Sequence, residues 1–176
     1  MAIEMNTRDV LEIAQQLEHH GQEFYSHAAE HADDRATRQL YLELAAMEGE
    51  HEQVFAGLKS QLGGDQAETT KHSTAEWNIV AKTFLNGLEG DLFKRFEGKE
   101  DRLEILREAM AFEKDTIALF LALRNTLPLE PDRRRVDDLL KEELGHLLKL
   151  GCELARRDST PTSRASLFGE ANVTQA

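Results

Sequence analysis

The chain contains two matching stretches: LEHHGQEFY…MEGEH, within residues 17–51, and FEKDTIALF…KEELGH, within residues 112–146. Each stretch contains a glutamate and then, 30 residues later, the first residue of a Glu-x-x-His motif. These six residues, called the Glu/His set below, are Glu18, Glu48, His51, Glu113, Glu143 and His146. Corresponding members are separated by 95 positions in all three cases, so the chain carries an internal repeat of carboxylates and imidazoles.

Every member of the Glu/His set interrupts an apolar face at helical spacing. Glu18, for example, falls on a stripe with Leu11, Ala14, Gly21 and Tyr25. A single glutamate on such a stripe is usually salt-bridged or snorkelling, and a single buried histidine is usually a satisfied core residue. Those interpretations fail for the whole set, because lysine and arginine are absent from the same stripes. Four carboxylates in one core are very costly unless a cation neutralises them.

The composition of the Glu/His set predicts a metal centre with two ions. Two glutamates and two Glu-x-x-His motifs from four helices are the ligands of carboxylate-bridged di-iron and di-manganese bundles. By the pattern of such sites, Glu18 and Glu113 are expected to be terminal ligands, and Glu48 and Glu143 are expected to bridge the ions. The mixed oxygen and nitrogen donors suit iron or manganese, whereas zinc can occupy such a site but brings no redox chemistry.

Two tyrosines are the predicted outer partners of these ligands. Tyr25 lies seven residues after Glu18, and Tyr41 lies seven residues before Glu48. Each can donate a hydrogen bond to a ligand carboxylate, and plain core packing is the alternative interpretation for each. The acidic neighbours that are expected to point elsewhere on their helices are Glu50, Glu52 and Glu142.

The chain is predicted to be an all-α four-helix bundle over residues 1–158, followed by a flexible tail at residues 159–176. The predicted helices cover about residues 7–31, 35–62, 99–126 and 132–158. Short turns join the first pair and the second pair into antiparallel hairpins. The long crossover of residues 63–98 lets the second and third helices run parallel. A pseudo-twofold axis can then relate the two hairpins, with the 95-residue repeat as its trace.

The crossover carries an amphipathic segment that includes Trp77 and Phe84. No acid or histidine on its apolar face is placed like a ligand, so we interpret it as a helix that lies across the bundle. A dimer contact through Trp77 and Phe84 is the alternative, because an exposed apolar face of this kind marks interaction sites.

Composition excludes several classes of protein. The formal net charge of −12 argues against a nucleic-acid surface and favours cations as partners. The single cysteine, Cys152, excludes a disulfide framework and a rubredoxin-type iron site in this chain. The polar opening MAIEMNTRDV is unlike a signal peptide, and no apolar run reaches transmembrane length. We therefore expect a cytoplasmic protein without a membrane partner.

At these motifs the chain resembles the rubrerythrin-like branch of the ferritin-like superfamily. The stretches LEHHGQEFYSHAAEH and LAAMEGEHEQVF are similar to the first hairpin of that family, and FEKDTIALF and EELGH are similar to the second. The resemblance implies a left-handed four-helix bundle with a non-haem di-iron centre, and it carries each member of the Glu/His set over as a ligand.

The chain also departs from that family. Full rubrerythrins carry a cysteine-rich rubredoxin domain, which is missing here, so any electron donor is expected to be another protein. Peroxidase members place an extra glutamate one turn from the third-helix ligand, where this chain has Met110 and Thr116 on either side of Glu113.

The resemblance implies an oxidoreductase in which two Fe(II) ions reduce O2 or hydrogen peroxide, as in a rubrerythrin-like peroxidase or a ferroxidase. Non-catalytic iron binding, buffering or delivery uses the same ligands and is the first alternative. A helical interaction module with a vestigial site is the second. A homodimer is the default expectation for the assembly.

Overall fold

The computed structural model describes residues 6–62, 102–125, 127 and 129–158. These ranges hold four helices: α1 (Thr7–Glu30), α2 (Arg35–Gln61), α3 (Arg102–Arg124) and α4 (Glu130–Asp158). No strand occurs within these ranges, which confirms the all-α class for this part of the chain. The predicted crossover, with Trp77 and Phe84, and the predicted tail both lie outside the described residues.

The helix ends agree with the prediction to within about two residues wherever both ends are described. The main difference is at α4, which begins at Glu130 rather than at Asp132. Pro131 therefore lies inside the first turn of the helix instead of before it. A proline is tolerated there because its missing N–H is one that a helix start leaves without an intrahelical partner.

Side-chain caps explain where the first two helices begin. Asn6 Oδ1 accepts from the Asp9 backbone N–H at 3.0 Å, while the Asn6 N–H donates to Asp9 Oδ2 at 2.9 Å, which completes a capping box. Asp34 Oδ1 accepts from the N–H groups of Ala36 and Thr37, both at 3.0 Å. Since only residues 31–34 separate α1 from α2, the two helices run antiparallel.

Two apolar clusters form the core of the bundle. One contains residues such as Leu11, Phe55 and Leu123, and the other contains residues such as Leu44 and Leu106. On α1, α2 and α4 the members of the Glu/His set lie between these clusters along the helix. The set is therefore held in a layer with apolar packing on both sides, which keeps water away from it.

Contacts between elements give the arrangement of the hairpins. Helix α1 packs along α2 and α3 packs along α4, while α1 also meets α3 and α2 also meets α4. Each hairpin therefore contributes two helices to one shared interior. Among the described residues, no helix has an apolar stretch of the length that a membrane span requires.

An ion-pair network around Arg157 holds one end of the bundle. Arg157 Nη2 lies 3.0 Å from Asp33 Oδ1, and Arg157 Nε lies 2.7 Å from Glu153 Oε1. Thr37 Oγ1 also lies 2.6 Å from Glu153 Oε1. These contacts tie the C-terminal end of α4 to the α1–α2 connection and so fix the two hairpins relative to each other.

Candidate metal centre

All six members of the Glu/His set are buried in the bundle. The four glutamates and His146 are 0% exposed, and His51 is 2% exposed. Helices α1 and α3 each contribute one glutamate, and α2 and α4 each contribute a Glu-x-x-His pair. Within each pair, the three-residue spacing places the carboxylate and the imidazole on the same face of the helix.

The set divides into two overlapping groups of potential ligands. The first group, called the His51 position, contains Glu18, Glu48, His51 and Glu143. The second group, called the His146 position, contains Glu48, Glu113, Glu143 and His146. One ligand atom from each residue of a group lies within 4.8 Å of the others in that group. Glu48 and Glu143 belong to both groups, which is the geometry required of bridging carboxylates.

The imidazole of His51 faces carboxylates from both hairpins. His51 Nδ1 lies 2.8 Å from Glu143 Oε1, 3.3 Å from Glu18 Oε2 and 4.0 Å from Glu48 Oε2. Its shortest contact is thus with the opposite hairpin. His51 and Glu143 lie far apart in the sequence, and the packing of α2 against α4 brings them into contact.

The imidazole of His146 has a corresponding arrangement. His146 Nδ1 lies 3.2 Å from both Glu48 Oε1 and Glu143 Oε2, and 3.7 Å from Glu113 Oε1. The rings of His51 and His146 stack with centroids 5.6 Å apart and an interplanar angle of 16°. Both imidazoles therefore direct Nδ1 into the centre and leave Nε2 for contacts outside it.

The donor set fits a pair of divalent cations. Both oxygens of Glu18, together with Glu48 Oε2 and Glu113 Oε2, are buried without a hydrogen-bond donor in the described part of the chain. A buried acceptor without a partner is costly, and such groups in a native fold often mark a missing ion. Each position offers three carboxylates and one imidazole, a mixed donor set that suits Fe(II) or Mn(II).

The pKa values of the four buried carboxyl groups differ in direction. Burial raises the pKa values of Glu18, Glu48 and Glu113 well above their ordinary range, and the neighbouring carboxylates add to this effect. Burial acts in the same direction on Glu143, but hydrogen bonds from His146 and His51 overcome it and lower the Glu143 pKa to about 2.

The pKa values of both imidazoles are raised although the two rings are buried. Burial alone lowers the pKa of a histidine, but hydrogen bonding to Glu143 raises the His51 pKa to about 9. Hydrogen bonds to Glu113, Glu143 and Glu48 raise the His146 pKa to about 12. Without a cation, both imidazoles are therefore protonated at neutral pH.

Metal binding is therefore expected to release protons. An imidazole must lose its proton from Nδ1 before that atom can bind a metal, so loading both positions at pH 7 should release at least two protons, one from each histidine. The apparent metal affinity should rise between pH 6 and pH 8. Isothermal titration with Mn(II) in two buffers of different ionisation enthalpy measures the release. Equal heats in both buffers, together with an affinity that is independent of pH, would contradict this prediction.

Of the two predicted tyrosine partners, the structure places Tyr25 at the cluster. The fully buried Tyr25 hydroxyl donates a hydrogen bond to Glu113 Oε1, on the opposite hairpin. Burial and the charge of Glu113 raise the pKa of Tyr25 well above its usual value. The phenol therefore stays neutral and continues to act as a donor to that carboxylate.

The expectation for Tyr41 is corrected by the structure. Its ring stacks on Tyr25 with centroids 6.2 Å apart, and it lines a pocket together with Asp33, Thr37 and Arg157. Within the described ranges it has no hydrogen bond to the Glu/His set. Tyr41 is instead a core residue, which was the alternative interpretation, because it is buried in an apolar cluster.

The expectation for Glu142 is also corrected. Its Oε2 lies 3.0 Å from His51 Nε2, so this half-exposed carboxylate contacts a member of the Glu/His set. Glu50 and Glu52 follow the prediction, since Glu50 is exposed and Glu52 contacts His19 at the surface. The 95-residue repeat pairs Glu142 with Met47, but the sequence carries no signal for the contact with His51, which lies on another helix.

Comparison with known proteins identifies the family. The rubrerythrin family model matches residues 9–151, a range that contains the whole Glu/His set. The chain belongs to the rubrerythrin family. The resemblance seen in the motifs is thereby confirmed, and no curated protein sequence matches this member of the family.

A solved structure supports the fold of this rubrerythrin-family chain. It is similar to a protein from Thermotoga maritima that is described as a ferritin-like diiron-carboxylate protein, with a TM-score of 0.70 and 24% sequence identity. The match covers 90% of this chain and 100% of the other. At that identity the likeness establishes the fold, a ferritin-like four-helix bundle.

Proposed function

We propose that this rubrerythrin-family protein is a non-haem di-iron oxidoreductase in which O2 or hydrogen peroxide oxidises a carboxylate-bridged Fe(II) pair. The observation that carries the proposal is the overlap of the two ligand groups through Glu48 and Glu143. Two ligand groups that share carboxylates would hold two cations close together. When bound, an iron pair supplies two electrons, one from each ion.

The charge of the site supports a pair of divalent ions. Four buried carboxylates balance the four positive charges of two such ions, so a filled site is neutral without any further group. Tyr25 holds Glu113 in place, as outer partners of metal ligands usually do. The apolar clusters on either side of the Glu/His set exclude water and so keep the electrostatic interactions inside strong.

An external electron donor is part of the proposal. Repeated turnover requires the iron pair to be reduced again after each oxidation. The one cysteine of this chain, Cys152, is exposed on α4 and cannot form a rubredoxin-type site by itself. We therefore assign the return of electrons to a separate protein.

The test is anaerobic titration with Fe(II) to two ions per chain, followed by rapid mixing with air-saturated buffer or with hydrogen peroxide. We expect the near-ultraviolet absorption of a coupled ferric pair to appear with either oxidant, and the ratio of the two rates distinguishes peroxidase-like from ferroxidase-like use. Protein loaded with Zn(II) is the control and should show no band. Binding of two Fe(II) ions without oxidation by either reagent would favour the alternative function, non-catalytic iron binding, buffering or delivery.

A further inference from the structure

Met47 and Glu142 occupy equivalent places in the internal repeat but differ in chemistry. Each directly precedes one of the two shared glutamates, and the two are separated by the same 95 positions as the repeated ligands. Glu142 Oε2 lies 3.0 Å from His51 Nε2, and Met47 Sδ lies 3.3 Å from His146 Nε2. Each side chain thus contacts the outer nitrogen of the imidazole on the opposite hairpin. One imidazole faces an anionic oxygen and the other faces a neutral sulfur.

A second difference lies beyond Met47. The Lys149 Nζ atom is 3.8 Å from Met47 Sδ, so a positive charge lies close to the outer side of the His146 position. The residue that corresponds to Lys149 in the other hairpin is Val54, which carries no charge. The surroundings of the His146 position are therefore more positive than those of the His51 position, where Glu142 adds a negative charge.

A third difference concerns the predicted terminal carboxylates. Glu113, at the His146 position, accepts a hydrogen bond from Tyr25. The repeat partner of Tyr25 is Phe120, which has no hydroxyl group. Both oxygens of Glu18, at the His51 position, are without a hydrogen-bond donor among the residues described here. The Tyr25 hydroxyl therefore orients Glu113 without adding charge to it, whereas Glu18 has no such partner among the described residues.

We propose that the two metal positions are unequal, and that the His51 position binds a divalent cation more tightly and fills first. The two charge differences, at Glu142 and at Lys149, act in this direction. Glu142 is the positioning residue with the most direct effect. When a carboxylate accepts from Nε2–H, it fixes the tautomer in which Nδ1 is free to bind the metal. It also makes the imidazole a stronger ligand. A thioether is only a weak acceptor and does this poorly.

The inference rests on the proposed two-ion site, and its test measures affinity rather than activity. Mn(II) is added anaerobically while free Mn(II) is followed by electron paramagnetic resonance, which yields two successive dissociation constants. Loss of an outer partner typically lowers metal affinity by 10- to 100-fold. Because Glu142 is half exposed and partly screened, we expect Glu142→Gln to weaken binding of the first ion by about tenfold and to leave the second nearly unchanged.

Matched variants separate the local contact from general electrostatics. Glu50→Gln removes the same charge from an exposed residue next to His51 in sequence, and it should change neither constant by more than about twofold. The reciprocal change, Met47→Glu, places a carboxylate beside His146 and should tighten the second ion. Circular dichroism of the metal-free proteins verifies that each variant is folded.

Single-site variants identify which position fills first. In Glu113→Ala one ion should remain at the His51 position, with the affinity that the first ion has in the parent protein. Adding Glu142→Gln to that variant should weaken its binding. In Glu18→Ala the remaining ion should bind more weakly and should not respond to Glu142→Gln. If the parent protein binds two ions at sites of equal affinity, the inequality is wrong and the two-ion site stands. If the affinities differ but Glu142→Gln leaves both unchanged, the role assigned to Glu142 is wrong. If the parent protein binds no ions, both are wrong.

Discussion

Replacing Glu48 with alanine is expected to abolish binding at both metal positions, and Glu143→Ala is expected to do the same. The reason is geometric, since each of these carboxylates belongs to both ligand groups. Removing one of them leaves each ion with two carboxylates and one imidazole, and it removes the group that holds the ions together. Iron content per chain, measured by mass spectrometry after anaerobic Fe(II) loading and desalting, should fall from about two to near zero.

Two comparisons make this result specific. Glu18→Ala and Glu113→Ala each remove a carboxylate from one group only, so each should lose one ion and keep the other in part. Glu50→Ala removes an exposed carboxylate from α2 and should keep both ions. Full iron retention in both Glu48→Ala and Glu143→Ala would refute the assignment of these two residues as bridges.

The second large effect is expected in the stability of the protein. Metal that binds only the folded state stabilises it by mass action, by about 4 kcal/mol per site at a thousandfold excess over the dissociation constant. For two sites the gain is roughly 8 kcal/mol, which corresponds to a rise in melting temperature on the order of 15–30 °C for a protein of this size. Mn(II) is the suitable probe, because it is not oxidised by air during a thermal scan.

The same measurement should show a reversal of sign in the bridging variants. In metal-free protein, Glu48 is a fully buried carboxyl group among other carboxyls, so Glu48→Ala should leave the melting temperature equal or higher. With Mn(II) present, that variant should melt well below the parent protein. An unchanged melting temperature of the parent protein on adding Mn(II) would instead favour an interaction module with a vestigial site.

Helical periodicity explains why the Glu/His set could be identified in the sequence. Residues three or four apart on a helix share a face whatever the helix packs against, so Glu48 and His51 were expected to point the same way. Repetition of that pattern at Glu143 and His146 predicts a second helix that contributes a glutamate and a histidine to the same site. The structure brings all six residues together, because each lies on the apolar stripe that its helix must bury.

Tyr25 and Tyr41 show where such reasoning stops. Each lies seven residues from a shared or terminal glutamate on its own helix, and nothing local distinguishes them. Tyr25 donates to Glu113 on α3, whereas Tyr41 lines a pocket with Arg157 of α4. Both outcomes depend on which helix is the neighbour at that height of the bundle, which is a property of tertiary packing.

The helical class and the Glu/His set can be recognised from the sequence alone, because both follow from periodicity along single helices. The packing of the hairpins is needed to show that Glu48 and Glu143 belong to both ligand groups. It is also needed to show that Glu142 and Met47 contact the imidazoles of the opposite hairpins. Those contacts are made between α2 and α4, which belong to different hairpins and are far apart in the sequence. Their distances depend on how the two hairpins pack, and spacing along one helix carries no information about that packing.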